Sequence, residues 1–308
     1  YDTDHFSSEG PVVGQLKPSE VPDRIGAPIG PVPPISSDPP FHAEARRLLL
    51  PAFSPKKIDP WREEVIEICN KLIDDMGDAN HIDAALQYSQ HIPVMVIARM
   101  LGLPVEDGDR FRGWVNLVLS GIGEERTEER MAKFEEFNQY LAYHVNDHME
   151  NPREDLISFL LNAEIMGQKL SLEHTVGTVI LLLIAGIDTT WSGIGSSLWH
   201  LASNSVDRRR LVENPDMIPA AIEEFLRAYA PVTMARVVKE DMEFHGVQMK
   251  QEDWVLLPFP AANRDDKQFA DAHVVQIDRE ENRHAAFGLG IHRCLGSNLA
   301  RLEMNVAI

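Results

Sequence analysis

At 308 residues and 44% hydrophobic composition, the chain is long enough for a sizeable core in one large domain or two closely packed ones. A net charge of −19 argues against nucleic acid as the main partner, because neutralising phosphates needs a basic surface that this composition supplies only locally. Two cysteines, Cys69 and Cys294, make no disulfide framework, and without a secretory or transit signature the expected setting is the reduced cytoplasm.

The chain starts at "YDTDHFSSEG" and stops at Ile308 inside the helical pattern "GSNLARLEMNVAI", so it reads as incomplete at both ends. Residues 11–40 are dense in proline and glycine and are expected to form a long loop. Helical patterns follow. "DPPFHAEARRLLLPAF" carries an Asp-Pro-Pro start signal, and "IDPWREEVIEICNKLIDDMG" sets Val65, Ile66, Cys69, Leu72 and Ile73 on one face. Cys69 therefore belongs to a core stripe. "LQYSQHIPVMVIARMLG", "GDRFRGWVNLVLSG", "TEERMAKFEEFNQYLAYHVNDHME" and "DLISFLLNAEIMG" read as further helices, and the charged 124–130 stretch as a solvated turn or helix start.

A very long pattern runs from Ser171 to about Asn204. Its apolar run, Val176–Ile187, is shorter than the roughly 18 residues that cross a bilayer and ends at Asp188, so we expect a buried helix and no membrane span. "NPDMIPAAIEEFLRAYAP" is one more helix, stopped by Pro231. Strand character appears late, in "VTMARVV", "EFHGVQM" and "DWVLLPF". The expected class is mainly α with a minor β region, in a single domain over 1–308.

The stretch "FGLGIHRCLG" sets Cys294 among Gly288, Gly290 and Gly296, ahead of a helix. Three readings compete. A phosphate cradle lacks the lysine and hydroxyl of a P-loop and the spacing of a dinucleotide fingerprint. A zinc site built on His292 and Cys294 lacks a second ligand pair. A single axial thiolate to a haem iron needs no cysteine partner: glycines let the backbone approach a porphyrin, and the following helix places its positive end near the sulfur.

Phe287 to Gly296 resembles the Phe-Gly-x-Gly-x-His-x-Cys-x-Gly signature of the cytochrome P450 superfamily, and looks most similar to its soluble bacterial members. Three other segments resemble family motifs. "AGIDTT" resembles the oxygen-activation motif of the long central helix, which implies that Thr189 hydrogen-bonds dioxygen, Asp188 relays protons, and Ala185 and Gly186 leave room above the cofactor. Glu224 and Arg227, at i and i+3 on one helix face, resemble the family's buried structural pair, completed by a later arginine, Arg279 or alternatively Arg283. His42 and Arg46, at i and i+4, together with Arg236 and His292, resemble its haem-propionate binders.

The resemblance implies a P450 fold, a helical bundle around a long central helix with a minor sheet. It implies a haem b monooxygenase, with Cys294 on the metal, that inserts one atom of O2 into a C–H bond of a small to medium apolar substrate. Ile184, Ala185, Val232, Thr233 and Met234 are the implied pocket residues. Electrons from NAD(P)H would arrive indirectly, through a ferredoxin or flavodoxin docking where Arg47, Lys56 and Lys57 make a basic patch. A peroxide-using haem enzyme and a non-catalytic haem-binding fragment are the alternatives. The Asp188–Thr189 pair argues against the first of these.

Overall fold

The computed structural model describes residues 2–9, 32–120 and 127–308. Most of the Pro/Gly-rich loop (residues 11–31) and part of the charged stretch (residues 124–126) lie outside the described residues. In chain order the elements are β1 (Phe6–Ser7), α1 (Phe41–Leu49), α2 (Pro55–Ile58), α3 (Trp61–Met76), α4 (His91–Leu101), α5 (Gly108–Ser120), α6 (Glu128–Glu150) and α7 (Leu156–Leu161). The hairpin β2 (Glu164–Ile165) and β3 (Gln168–Lys169) leads into the long helix α8 (Leu172–Ser203), followed by α9 (Ser205–Glu213) and α10 (Ile218–Ala228). After β4 (Thr233–Val238), β5 (Met242–Phe244), β6 (Val247–Met249) and β7 (Trp254–Pro258) come α11 (Phe259–Ala262) and the last helix, α12 (Ser297–Ala307).

The chain divides into two compact units: Tyr1–Pro51 with Ile97–Ala185 and Ala235–Leu256, and Ala52–Val96 with Gly186–Met234 and Leu257–Ile308. The first is built on α5 and α6. Trp114 stacks on Phe137 with ring centroids 4.9 Å apart, and Val118 and Phe134 form a small core with Leu117 and Ile184 packed against it. Thr127 caps α6 by accepting the N–H of Arg130, as its hydroxyl suits it to do. β1 joins this unit by pairing antiparallel with β4, Phe6 opposite Val238.

In the second unit α12 packs on α3. The buried stripe of α3 is Val65, Ile68 and Cys69, with Leu72 half-buried and Ile73 exposed, so it is narrower than the sequence pattern suggests. A second core joins Leu201, Leu211, Ala221, Phe225 and Ile277. Beside it Glu224 and Arg227 are buried: Arg227 donates to both carboxylate oxygens (2.8 and 2.7 Å) and to the carbonyls of Asn263, Ala272 and Val274. Arg279 adds a 3.0 Å bond to the same carboxylate. Although burial pushes the Glu224 carboxyl up, these donors bring it below its ordinary value.

Three expectations of local structure need correction. The pattern "DLISFLLNAEIMG" gives a helix only as far as Leu161. Met166 and Gly167 then adopt left-handed φ values of 54° and 78°, the paired conformation of a tight hairpin turn, and fold β2 onto β3. The helix expected from Leu86 starts with a wide turn over Ala85–Ser89, where the Gln90 N–H reaches the Ala85 carbonyl, before α4 begins. Strand pairing is also not confined to the last third, since β1 and the β2–β3 hairpin precede it. The long helix α8 is as expected. As a whole it is long and apolar enough to cross a membrane, and 61% of its most apolar window is buried inside the protein, as in a core helix.

Glu303 of α12 is 1% exposed, and its Oε2 has no hydrogen-bond partner. Burial pushes its carboxyl well above the ordinary 4.5. The folded chain then keeps a proton that the unfolded chain releases, so stability falls as pH rises above 4.5, by about 1.4 kcal/mol per pH unit. Glu303→Gln should match the wild type in urea titrations at and below pH 4.5 and exceed it increasingly above. Parallel curves at all pH values would show that Glu303 is ionised in the fold.

Candidate active site

In the second unit the cysteine loop is shaped by its backbone. Gly288 and Gly290 take φ values of 65° and 71°, the left-handed region open to glycine, and a Cβ on Gly288 would lie 3.3 Å from the Phe259 ring. The Cys294 N–H donates to the Phe287 carbonyl at 2.8 Å, folding the loop back on itself two residues before Gly296, the N-cap of α12. Cys294 is exposed, whereas Cys69 is buried and its thiol pushed up by that burial. Among the described residues no group of three or more His, Cys, Asp and Glu side chains could hold a metal ion. The loop offers one accessible sulfur, which suits a cofactor bringing its own remaining ligands.

On α8, Ala185, Asp188 and Thr189 share a helical face at i, i+3 and i+4, with Ala185 exposed and Asp188 and Thr189 half-buried, while Leu183, Ile187 and Thr190 are buried. An open alanine midway along an apolar core helix marks a place where the packing is relieved. Gly186 is half-buried beside it. Burial pushes the Asp188 carboxyl above its ordinary value, partly opposed by a hydrogen bond from Trp191, so it takes up a proton more readily than a surface aspartate.

The first unit holds a cluster of cationic donors. His42 is 2% exposed, and burial followed by the charge of Arg46 and Arg236 lowers its pKa despite nearby Asp38. Half-buried Arg236 donates to the Ala235 carbonyl, and no carboxylate lies within ion-pair distance of it among the described residues. Burial depresses its pKa. A desolvated guanidinium without an anion is costly, so this cluster is chemically suited to bind carboxylates.

The glycine-shaped loop thus presents one exposed thiol, and the long helix α8 carries a hydroxyl and a carboxyl at adjacent positions. Residues 86–308 match the family Cytochrome P450. The polyketide biosynthesis cytochrome P450 PksS of Bacillus subtilis (strain 168) is 35% identical over 275 residues, which are 89% of this chain and 68% of that protein. Mycinamicin IV hydroxylase/epoxidase of Micromonospora griseorubida is 34% identical, with 89% of this chain and 70% of that protein covered. Among solved structures, PksS superposes with a TM-score of 0.86 at 32% identity, covering 99% of this chain and 77% of that one. The chain belongs to the cytochrome P450 family and is an oxidoreductase of the monooxygenase type.

The family implies haem, and within each unit the residues present fit it: the second holds an exposed thiol suited to the iron, and the first holds the desolvated cation Arg236, suited to a carboxylate. His292 lies half-buried in the short turn Gly290–His292 beside the cysteine. Of the expected pocket residues, Thr233 is exposed, Val232 and Met234 are half-buried, and Ile184 packs on Val118 and Phe134. Arg279, not Arg283, reaches Glu224. Lys56 and Lys57 are exposed on α2, while Arg47 is paired with Glu44. Glu223, His284 and Arg301, which sequence reading passes over, converge under the cysteine loop. The only local signal was the repeated acid in "IEEFLR".

Arg236→Met removes a desolvated cation that lacks a protein anion. The haem-free protein should lose no stability in urea titrations, while haem titration should show affinity weakened about tenfold, for loss of one charge-assisted bond. A variant that unfolds more easily without haem and binds haem normally would make Arg236 a structural residue instead.

Proposed function

We propose that the chain is a haem b monooxygenase with Cys294 on the iron, acting on a small to medium apolar substrate. The observation that carries this reading is the accessible Cys294 in a loop whose glycines hold left-handed backbone. Bound haem would supply the oxidising chemistry, taking two electrons and two protons to put one atom of O2 into a C–H bond and release the other as water. The chain's residues supply the rest. Arg236, Arg46, His42 and His292 would hold the propionates. Thr189 would hold a hydroxyl proton toward the oxygen site, and Asp188, its carboxyl raised by burial, would accept and return protons behind it. The small side of α8 at Ala185 and Gly186 leaves room, and Ile184, Ala185, Val232, Thr233 and Met234 offer the substrate no charge.

The relatives support an apolar substrate class. One solved relative, the myxobacterial cytochrome P450 CYP267B1 (TM-score 0.85, 38% identity, covering 89% of this chain and 68% of that one), is in complex with myristic acid. Electrons would come from NAD(P)H through a separate ferredoxin or flavodoxin, drawn to this acidic protein by local basic side chains such as Lys56 and Lys57. Two free cysteines suit a reducing, cytoplasmic setting.

The test is the absorption spectrum of the haem-loaded protein, reduced and exposed to carbon monoxide. The expected result is the red-shifted Soret band of thiolate ligation, lost in Cys294→Ser. Haem binding without that band in the wild type overturns the assignment of Cys294. With a supplied redox partner, Thr189→Ala should consume electrons without matching product, and unchanged coupling would remove Thr189 from proton delivery.

A further inference from the structure

Adjacent carboxylates on α10 face different tasks. Glu224 is used up in the buried network with Arg227 and Arg279. Glu223 instead grips Arg301 of α12 with two parallel bonds, Nε to Oε1 at 2.6 Å and Nη2 to Oε2 at 2.8 Å. His284 joins them: its Nδ1 accepts the Ala286 N–H at 3.2 Å, so its Nε2 carries the proton and donates to Glu223 Oε2 at 3.0 Å. Burial alone would raise the Glu223 carboxyl, yet Arg301 and His284 hold it down at about 2, so it stays an anion at any working pH. The guanidinium so fixed lies 4.5 Å from the centre of the Phe287 ring, a cation–π contact. The carbonyl of Phe287 is the one that receives the Cys294 N–H.

A charged group thus reaches the cysteine loop through one residue, with its counter-charge held by two hydrogen bonds. The pair is about a third exposed, so solvent weakens its field without removing it. Groups beside a metal ligand tune the metal through such orientation and charge, and reduction of an iron centre adds one negative charge that a nearby cation favours.

We propose that Glu223, His284 and Arg301 are positioning residues that set the electron affinity of the Cys294-ligated centre, by holding a partly neutralised cation on the Phe287 ring. This deepens the reading above and rests on it.

The experiment is a spectroelectrochemical titration of the haem-loaded protein without substrate or redox partner, recording midpoint potential together with the reduced carbon monoxide spectrum. Glu223→Gln leaves the Arg301 charge uncompensated and should move the midpoint positive. Arg301→Gln leaves the Glu223 charge uncompensated and should move it negative. The double variant should return toward the wild type. Loosened packing alone would not give shifts of opposite sign. Arg301→Lys keeps the charge but cannot lie flat on a ring or bind a carboxylate by two parallel bonds, so it should shift the midpoint negative by less. It carries the test if the glutamine variants do not fold. Shifts of the same sign, or a wild-type midpoint in Arg301→Lys, with the thiolate band intact overturn this proposal. Absence of that band in the wild type overturns the haem-thiolate reading instead.

Discussion

The second unit depends on a buried carboxylate. Glu224 accepts from Arg227 twice, from the Gln276 N–H, from Arg279 and from Asn282. Such a group is costly to desolvate, and only a full set of donors offsets the cost. Its donors come from α10 and from the irregular segment 276–282, while Arg227 binds carbonyls at 263, 272 and 274. That segment has little regular structure to satisfy its own backbone. The ion cluster stands in for the missing ladder, and the cysteine loop follows directly from it.

The loop is consequently held at both ends by one turn of α10. Glu224 fixes the segment that leads into it, and Glu223, through Arg301, fixes the helix that leads out. The same helix turn must therefore present two carboxylates side by side, one inward and one sideways, which the 100° rotation between neighbouring helical residues provides. Between these anchors Gly288 and Gly290 can take left-handed backbone without the whole segment relaxing.

What could be read from the sequence was whatever is written locally. The glycines around Cys294, the i, i+3 spacing of Glu224 and Arg227, and the apolar run of α8 each lie within one element, and periodicity or motif finds them. What could not be read is pairing across distance. Glu223 and Arg301 are 78 residues apart, and either alone is an ordinary surface charge. β1 is two residues long, too short for alternation to register, and exists because β4 offers an edge to Phe6 and Ser7. The β2–β3 hairpin was hidden because Met166 is a poor advertisement for a left-handed turn, and the helical run before it extended the apolar pattern.

The distribution of cations carries the strongest argument about what the protein holds. In a chain of net charge −19, anions are plentiful, and Arg227, Arg279 and Arg301 each have one within 3.0 Å. Among the described residues Arg236 does not, although it is half-buried; it donates to the neighbouring Ala235 carbonyl. Asp38, the acid whose charge it feels, is occupied by Ser7, the Ser8 N–H and Lys239. In an acidic chain, a desolvated arginine with no carboxylate at ion-pair distance among the described residues is suited to bind a carboxylate from elsewhere.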